Sequence, residues 1–268
     1  MTISRHELRR GWKQLAIWTG CIGFFVVICV LMYPQMEQQM ADVTTMFASM
    51  GSFTAAFGMD RLNFGTLTGF YAVECGNILG IGGALYAAMT GAGILSKEEQ
   101  TGTAEFLLTH PVTRAAVVTG KLAALMLQIL ILNLLVYAMA VGSVAAIGDP
   151  IPWKELTLLH LAYLLVQVEL GGICFGISAF CRRGSLGIGM GLAMGLYFVN
   201  ILANITEEAE FLKYITPYGY AEGADILADG KLNTAYVLIG TALCAAASSP
   251  PSGNTAARTS AKQFSARR

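Results

Sequence analysis

The stretch LAALMLQILILNLLVYAMAVGSVAAI, residues 122–147, contains no charged residue over 26 consecutive positions. A helix needs about 20 apolar residues to cross the hydrocarbon core of a bilayer, so this stretch predicts a membrane-spanning helix. The whole chain is 55% hydrophobic and only 13% charged, whereas soluble domains have about 25% charged residues. Its mean hydropathy is +0.58. This composition excludes an ordinary soluble domain and predicts an integral membrane protein.

Further apolar runs predict a bundle of helices. They are continuously apolar instead of alternating in polarity, which argues against a closed β-barrel. The last run has only 16 residues and is short for a complete crossing. The pattern predicts an all-α integral membrane protein with six transmembrane helices, in one domain covering residues 1–247. The runs are 15–33, 70–95, 122–147 within a helix starting near 118, 156–180, 186–205 and 232–247.

Residues 248–268 differ from the rest of the chain. They contain two adjacent prolines and, apart from Phe264, no aromatic residue. Such a segment buries too little apolar surface to fold, so we predict a disordered tail. Because the tail cuts the sixth run short, one hypothesis is that it is an out-of-frame ending.

Lysine and arginine predict the orientation, because both are retained on the cytoplasmic side of short loops. With the N-terminus in the cytoplasm, thirteen of the 17 basic residues lie inside. The four outside are Arg61, Lys154, Lys213 and Lys231. We therefore expect the N-terminus and the polar loop 96–121 to be cytoplasmic.

The residues before the first run have the pattern of an interfacial helix. Ser4 and Glu7 have capping-box spacing, and Leu8, Trp12 and Leu15 fall on one face. The pattern predicts a short N-terminal helix lying on the membrane surface.

The loop 96–121 reads SKEEQTGTAEFLLTHPVTRAAVVTGK. Thr103 can begin a helical turn and Pro111 can end it. Between them, Phe106, Leu107 and Leu108 are too few to form a core of their own. We predict a short surface helix that packs on lipid, on the bundle or on another protein.

This loop resembles that of the permeases, the membrane subunits, of type-2 ABC exporters. The similarity lies in Glu98-Glu99, Gly102-Thr103, Glu105, Leu107-Leu108, Pro111-Val112, Arg114 and Gly120-Lys121. Weaker similarities at Ala56-Phe57-Gly58, Ile177-Ser178 and Thr216-Pro217-Tyr218 extend it over nearly the whole chain. In such permeases, a cytoplasmic coupling helix in this loop docks on an ATPase. The resemblance implies an ATPase-coupling role for Glu98, Glu99, Gly102, Thr103, Glu105, Phe106, Leu107, Leu108, Pro111, Arg114 and Lys121.

The resemblance also implies an assembly of two permease chains on two cytoplasmic ABC ATPase subunits. No GxxxxGK[ST] motif occurs in the chain, so ATP and Mg²⁺ are expected on the partner ATPase. We expect no cofactor, no metal and no catalytic residue on this chain. The second permease would be an identical copy or a different paired permease, and the other partner is membrane lipid, with no nucleic acid. The implied location is a prokaryotic cell membrane.

Two carboxylates interrupt the apolar runs, Glu74 and Glu169. A carboxylate inside a membrane must be paired, protonated or exposed to water. Glu74 lies near the outer end of its run and can reach the interface. Glu169 lies nearer the middle and is the stronger functional candidate, with a structural hydrogen bond as the alternative. Neither residue predicts a substrate.

Two repeated residue types have structural and functional interpretations. The outer segment 34–69 contains five methionines, which are possible ligands of a soft metal, but packing at the membrane surface is the favoured interpretation. The glycine spacings Gly76/Gly80 and Gly187/Gly191/Gly195 indicate close helix packing, within one bundle in preference to a dimer interface. The methionines are Met36, Met40, Met46, Met50 and Met59.

The outer segment 206–231 is acidic. The resemblance implies that it forms short re-entrant helices closing the outer side of the path, and Pro217 and Gly219 suit such a break. A solvated acidic rim is the alternative. Its acidic residues are Glu207, Glu208, Glu210, Glu222, Asp225 and Asp229.

Two other classes of protein remain as alternatives. A secondary transporter is one, although the two halves show no obvious inverted repeat. An intramembrane enzyme is the other, because Glu98-Glu99 is similar to the paired glutamates of CAAX-type proteases. Those proteases carry an arginine where Thr103 stands here, and no HExxH motif occurs.

Overall fold

The computed structural model describes residues 2–38, 51–56, 59–100, 114–178, 185–205 and 207–248. Within these residues the chain is helical, without strands. Short 3₁₀ segments occur at Met59–Arg61, Glu207–Tyr214 and Pro217–Tyr220. The α-helices are α1 Thr2–Glu37, α2 Ser52–Ala56, α3 Leu67–Gln100, α4 Arg114–Ile147, α5 Trp153–Ser178, α6 Ser185–Ile205, α7 Gly223–Asp229 and α8 Thr234–Ser248.

Five of the described helices, α1, α3, α4, α5 and α6, are long and apolar enough to cross a membrane. The prediction of an all-α membrane protein is therefore confirmed. Helix α8 has 15 residues, which gives a length of about 22 Å. A full crossing needs about 20 residues, so the sixth span stays a prediction.

The predicted N-terminal interfacial helix is not a separate element. Residues 4–13 form the first turns of the continuous 36-residue helix α1. No proline interrupts these turns, and they pack on the start of α4, where the Ser4 hydroxyl donates to the Gly120 carbonyl oxygen at 2.9 Å. This contact favours continuation of the spanning helix over a turn along the membrane surface.

Helices α3 and α5 form the centre of the bundle and pack along each other. In the most apolar 18-residue stretch of each of these two helices, 67% is buried, compared with 28% for α1 and 22% for α6. The peripheral helices expose bulky side chains such as Phe24, Phe25 and Phe198. These exposed faces match the apolar lipid that we expect around the bundle.

Glycines allow close contact between α3 and its neighbours. A Cβ atom at Gly91 would overlap the backbone carbonyl oxygen of Gly171 on α5. Gly76 and Gly80 lie against the ring of Tyr163, also on α5, so the close packing predicted for this pair is confirmed.

The second glycine pattern does not make the favoured contact within the described part of the bundle. A Cβ atom at Gly187, Gly191 or Gly195 would have no described atom within 4 Å, so this face of α6 does not pack inside the bundle. The neighbouring Gly189 approaches α3 instead, because its Cβ position lies 2.8 Å from the Ala88 carbonyl oxygen. Gly189 is two residues from Gly187 and Gly191 and therefore lies on nearly the opposite side of α6, and this side faces α3.

A buried amide pair connects three helices in the core. The Asn133 side chain on α4 donates to Gln167 Oε1 on α5 at 2.7 Å. Gln167 is fully buried, and its Nε2 donates to the Leu79 carbonyl oxygen of α3 at 3.5 Å. Buried amides are stable only when they are hydrogen-bonded, so this pair fixes the relative positions of α3, α4 and α5.

Candidate functional site

The end of the bundle that carries the N-terminus also carries the end of α3 and the start of α4. We term it the basic end, because Arg5, Arg9 and Lys13 lie on it. Helices α3 and α4 have 34 residues each, or about 50 Å, whereas the hydrocarbon core is about 30 Å thick. Both helices are therefore longer than a membrane crossing requires. The last residues of α3, 96–100, lie beyond its candidate span.

Lys121 connects three helices at the basic end. Its side chain is 1% exposed, and its Nζ donates to the Ile94 carbonyl oxygen of α3 at 2.6 Å. The same Nζ lies 3.3 Å from Glu7 Oε1 of α1. We term Glu7, Ile94 and Lys121 the basic-end clamp, since they join α1, α3 and α4 just below the loop.

The clamp combines two buried charges with a backbone acceptor. Glu7 is itself buried, with 8% of its surface exposed. Charges removed from water are tolerated when each has an opposite charge and hydrogen bonds nearby, and loss of one partner leaves the other unpaired. The two side chains thus depend on each other and on the contact between their helices.

Lys121 is one of the predicted coupling residues, and its side chain forms the basic-end clamp. Glu98 and Glu99 lie in the last turn of α3, and Arg114 is the first residue of α4. The coupling role of the whole set stays a prediction. Gly102, Thr103, Glu105, Phe106, Leu107, Leu108 and Pro111 lie outside the described residues.

The opposite end of the bundle is covered by residues 207–229, and we term it the capped end. Pro217, Tyr218 and Tyr220 are buried there. The Thr216 hydroxyl caps this 3₁₀ segment by accepting from the Tyr218 backbone N–H, and it donates to the Leu196 carbonyl oxygen of α6 at 3.0 Å. The segment therefore packs into the bundle, and its role in closing the outer side of the path stays a prediction.

Glu169 lies beneath this cap. It is 2% exposed, and its Oε1 has no hydrogen-bond partner among the described residues. A cavity of about 30 Å³ beside it is also lined by Lys213, Tyr220 and Gly240 of α8. A side chain at Gly240 would overlap the Glu169 carboxylate, so α8 approaches closely here. Glu74 is half-buried near the start of α3, consistent with its predicted position near a helix end.

A second cavity at the capped end, of about 40 Å³, lies between α3, α5, α6 and the start of α7. The Tyr197 hydroxyl donates to Asn77 Oδ1 at 3.0 Å. Asn204 Nδ2 donates to Glu222 Oε2 at 2.8 Å. The side-chain oxygens of Asn200 and Asn204 have no hydrogen-bond partner among the described residues. We term this the asparagine cavity, defined by Asn77, Asn200, Asn204 and Glu222.

The burial of Glu222 shows that the acidic segment is not a solvated rim along its whole length. Asp229 is exposed, as a rim requires, but Glu222 is only 8% exposed. The reason is local packing, because the Cβ position of the next residue, Gly223, lies 2.9 Å from Ala72 Cβ on α3. Burial raises the pKa of Glu222, and the hydrogen bond from Asn204 opposes this shift. Sequence analysis also missed Asn200 and Asn204, whose spacing of four on an apolar helix was the available signal.

An ion pair lies at the surface of the capped end, and we expect it to contribute little to the free energy of unfolding. Arg61 Nη1 lies 2.6 Å from Asp225 Oδ1, with side chains 41% and 48% exposed. We expect Arg61→Ala to lower the free energy of unfolding by less than about 1 kcal/mol, because water screens such a pair. Unfolding in mixed detergent micelles measures this, and a loss of about 3 kcal/mol or more, typical of buried pairs, would contradict it.

Comparison with known proteins identifies the family. Residues 1–248 match a family model described as ABC-2 family transporter protein. A search of curated proteins gave no match. The matched region includes all five candidate spans, the basic-end clamp and the asparagine cavity. The chain therefore belongs to the ABC-2 transporter family, as a multi-pass permease subunit.

Proposed function

We propose that this chain is the permease subunit of an ATP-driven exporter and forms half of its translocation path. In this proposal the loop 96–121 couples the chain to a separate cytoplasmic ATPase, which binds ATP and Mg²⁺. Membership of the ABC-2 family supports it, as does the absence of a GxxxxGK[ST] motif from the sequence. The N-terminus and the basic end would face the cytoplasm of the cell.

The observation that carries the proposal is the basic-end clamp. Lys121 and Ile94 belong to the two helices that the loop connects, and Glu7 adds α1. A displacement of the loop would reach three helices at once, because the clamp holds their ends together. Helix α3 packs along α5, so the same displacement would reach the core of the bundle.

The size of the cavities supports a second permease. The two cavities at the capped end measure about 30 and 40 Å³, room for only about two or three water molecules each. Neither of these two cavities is large enough for a solute. We infer that a second copy or a paired permease completes the path.

The apolar triplet of the loop provides the test. We expect replacement of Phe106, Leu107 and Leu108 by serine to remove the ATPase from the protein purified in mild detergent, because docking of these side chains would be lost. The control changes the same positions to leucine, methionine and methionine, which keeps them apolar, and should retain the ATPase. Mass spectrometry and the ATPase activity of the eluate measure the outcome.

The outcomes separate the coupling site from the function. An ATPase that stays bound to the serine variant would contradict docking at the triplet. An unchanged chain that never carries an ATPase would contradict the exporter and favour a secondary transporter or an intramembrane enzyme.

A further inference from the structure

The asparagine cavity presents oxygen atoms from three parts of the chain. Asn77 belongs to α3, Asn200 and Asn204 belong to α6, and Glu222 directly precedes α7. All four line one cavity of about 40 Å³. Carboxylate and carboxamide oxygens are the ligands that hard cations prefer.

The buried carboxylate of Glu222 forms no ion pair within the described residues. Arg61 is held by Asp225 on the surface, and Lys213 lines the other cavity beside Glu169. The hydrogen bond from Asn204 contacts the carboxylate directly, whereas the positive charges of Arg61 and Lys213 act on it only from beyond ion-pair distance. An ionised carboxylate with 8% of its surface exposed normally has a cation or several hydrogen bonds near it.

Two amide oxygens in the cavity also lack a hydrogen-bond partner among the described residues. The side chain of Asn200 is 7% exposed and its Oδ1 has no partner among the described groups. Asn204 uses its Nδ2 for Glu222, which fixes its orientation and leaves Oδ1 without a partner in the described part of the chain. A carbonyl oxygen can only accept, so a cation or a donor must satisfy both atoms. A cation would satisfy them and the carboxylate together.

We propose that the asparagine cavity binds a small monovalent metal cation, with Glu222, Asn200 and Asn204 as ligands. A monovalent ion fits better than Ca²⁺, whose sites usually combine several carboxylates. The volume of about 40 Å³ holds such an ion with about one or two waters. The bound ion would join α6 to the start of α7, and the site does not depend on coupling to an ATPase.

Equilibrium binding of radioactive sodium and rubidium ions to the purified full chain tests the site. Choline chloride keeps the ionic strength constant. We expect saturable binding of one ion per chain, weakened at least about tenfold by Glu222→Gln, since the negative charge of this ligand is lost. Asp229→Asn is the control, because it removes the same charge from an exposed position of α7.

Asn200→Leu gives an independent variant that keeps Glu222 and approximately the side-chain volume. It should also weaken binding, and it should abolish the rise in unfolding temperature that the bound ion gives the unchanged protein. Absence of saturable binding of either ion to the unchanged chain would overturn the proposal. Equal binding by the unchanged chain and the two variants, shown to be folded by gel filtration, would also overturn it.

Discussion

Replacement of Lys121 by methionine is expected to lower the free energy of unfolding by about 3–5 kcal/mol, because it leaves a buried carboxylate unpaired. Methionine keeps most of the length of the side chain but has no ammonium group. Glu7 then loses its partner, and the Ile94 carbonyl oxygen loses a donor. Unfolding by SDS in mixed micelles measures the change.

The control for this variant is Lys13→Met. Lys13 is exposed on α1, so its removal should change the free energy of unfolding by less than about 0.5 kcal/mol. The double variant Lys121→Met, Glu7→Gln removes both charges and should recover part of the lost stability. If Lys121→Met and Lys13→Met unfold alike, Lys121 does not stabilise the bundle.

The double variant also tests the proposed route from the loop to the helices. It should insert and retain the ATPase but transmit loop movement less well, because the link between α1, α3 and α4 is gone. Normal transport by a restabilised double variant would show that the clamp has only a structural role.

Gly91→Ala is expected to cost about 3 kcal/mol, the upper part of the usual range for overpacking. The new Cβ atom would overlap the Gly171 carbonyl oxygen, and this is backbone, which no rotamer change can move. Helices α3 and α5 would have to separate along their whole contact. Thermal or SDS-driven unfolding gives the free energy.

Gly142→Ala is the matched control, because Gly142 is also helical but has open space around it. Alanine favours a helix by about 0.5–1 kcal/mol over glycine, so the control should be neutral or slightly stabilising. Equal effects of the two substitutions would show that propensity, not the α3–α5 contact, determines the cost at residue 91.

The spans could be predicted because membrane insertion depends on the composition of local apolar runs, which the sequence displays directly. The partners of Lys121 could not be predicted from the sequence. Glu7 lies 114 positions away, and no local pattern shows which helices touch. One signal was available, since Glu7 is the only acidic residue in the first 36 positions, within a cluster of basic residues.

Burial at the capped end also depends on tertiary contacts. Glu222 and Asp229 are both acidic and only seven positions apart, yet one is buried and the other exposed. The contact of Gly223 with α3 decides this, and hydropathy does not record it. The same limit affected α6, where spacing identified small residues but not the face that turns toward α3.

The contact between Gly91 and Gly171 restricts how the protein can move. Two helices whose backbones touch cannot slide past each other without one carbonyl group colliding with the next turn. Helices α3 and α5 must then travel as a single rigid body. Rearrangement during a transport cycle would therefore fall to helices outside this pair.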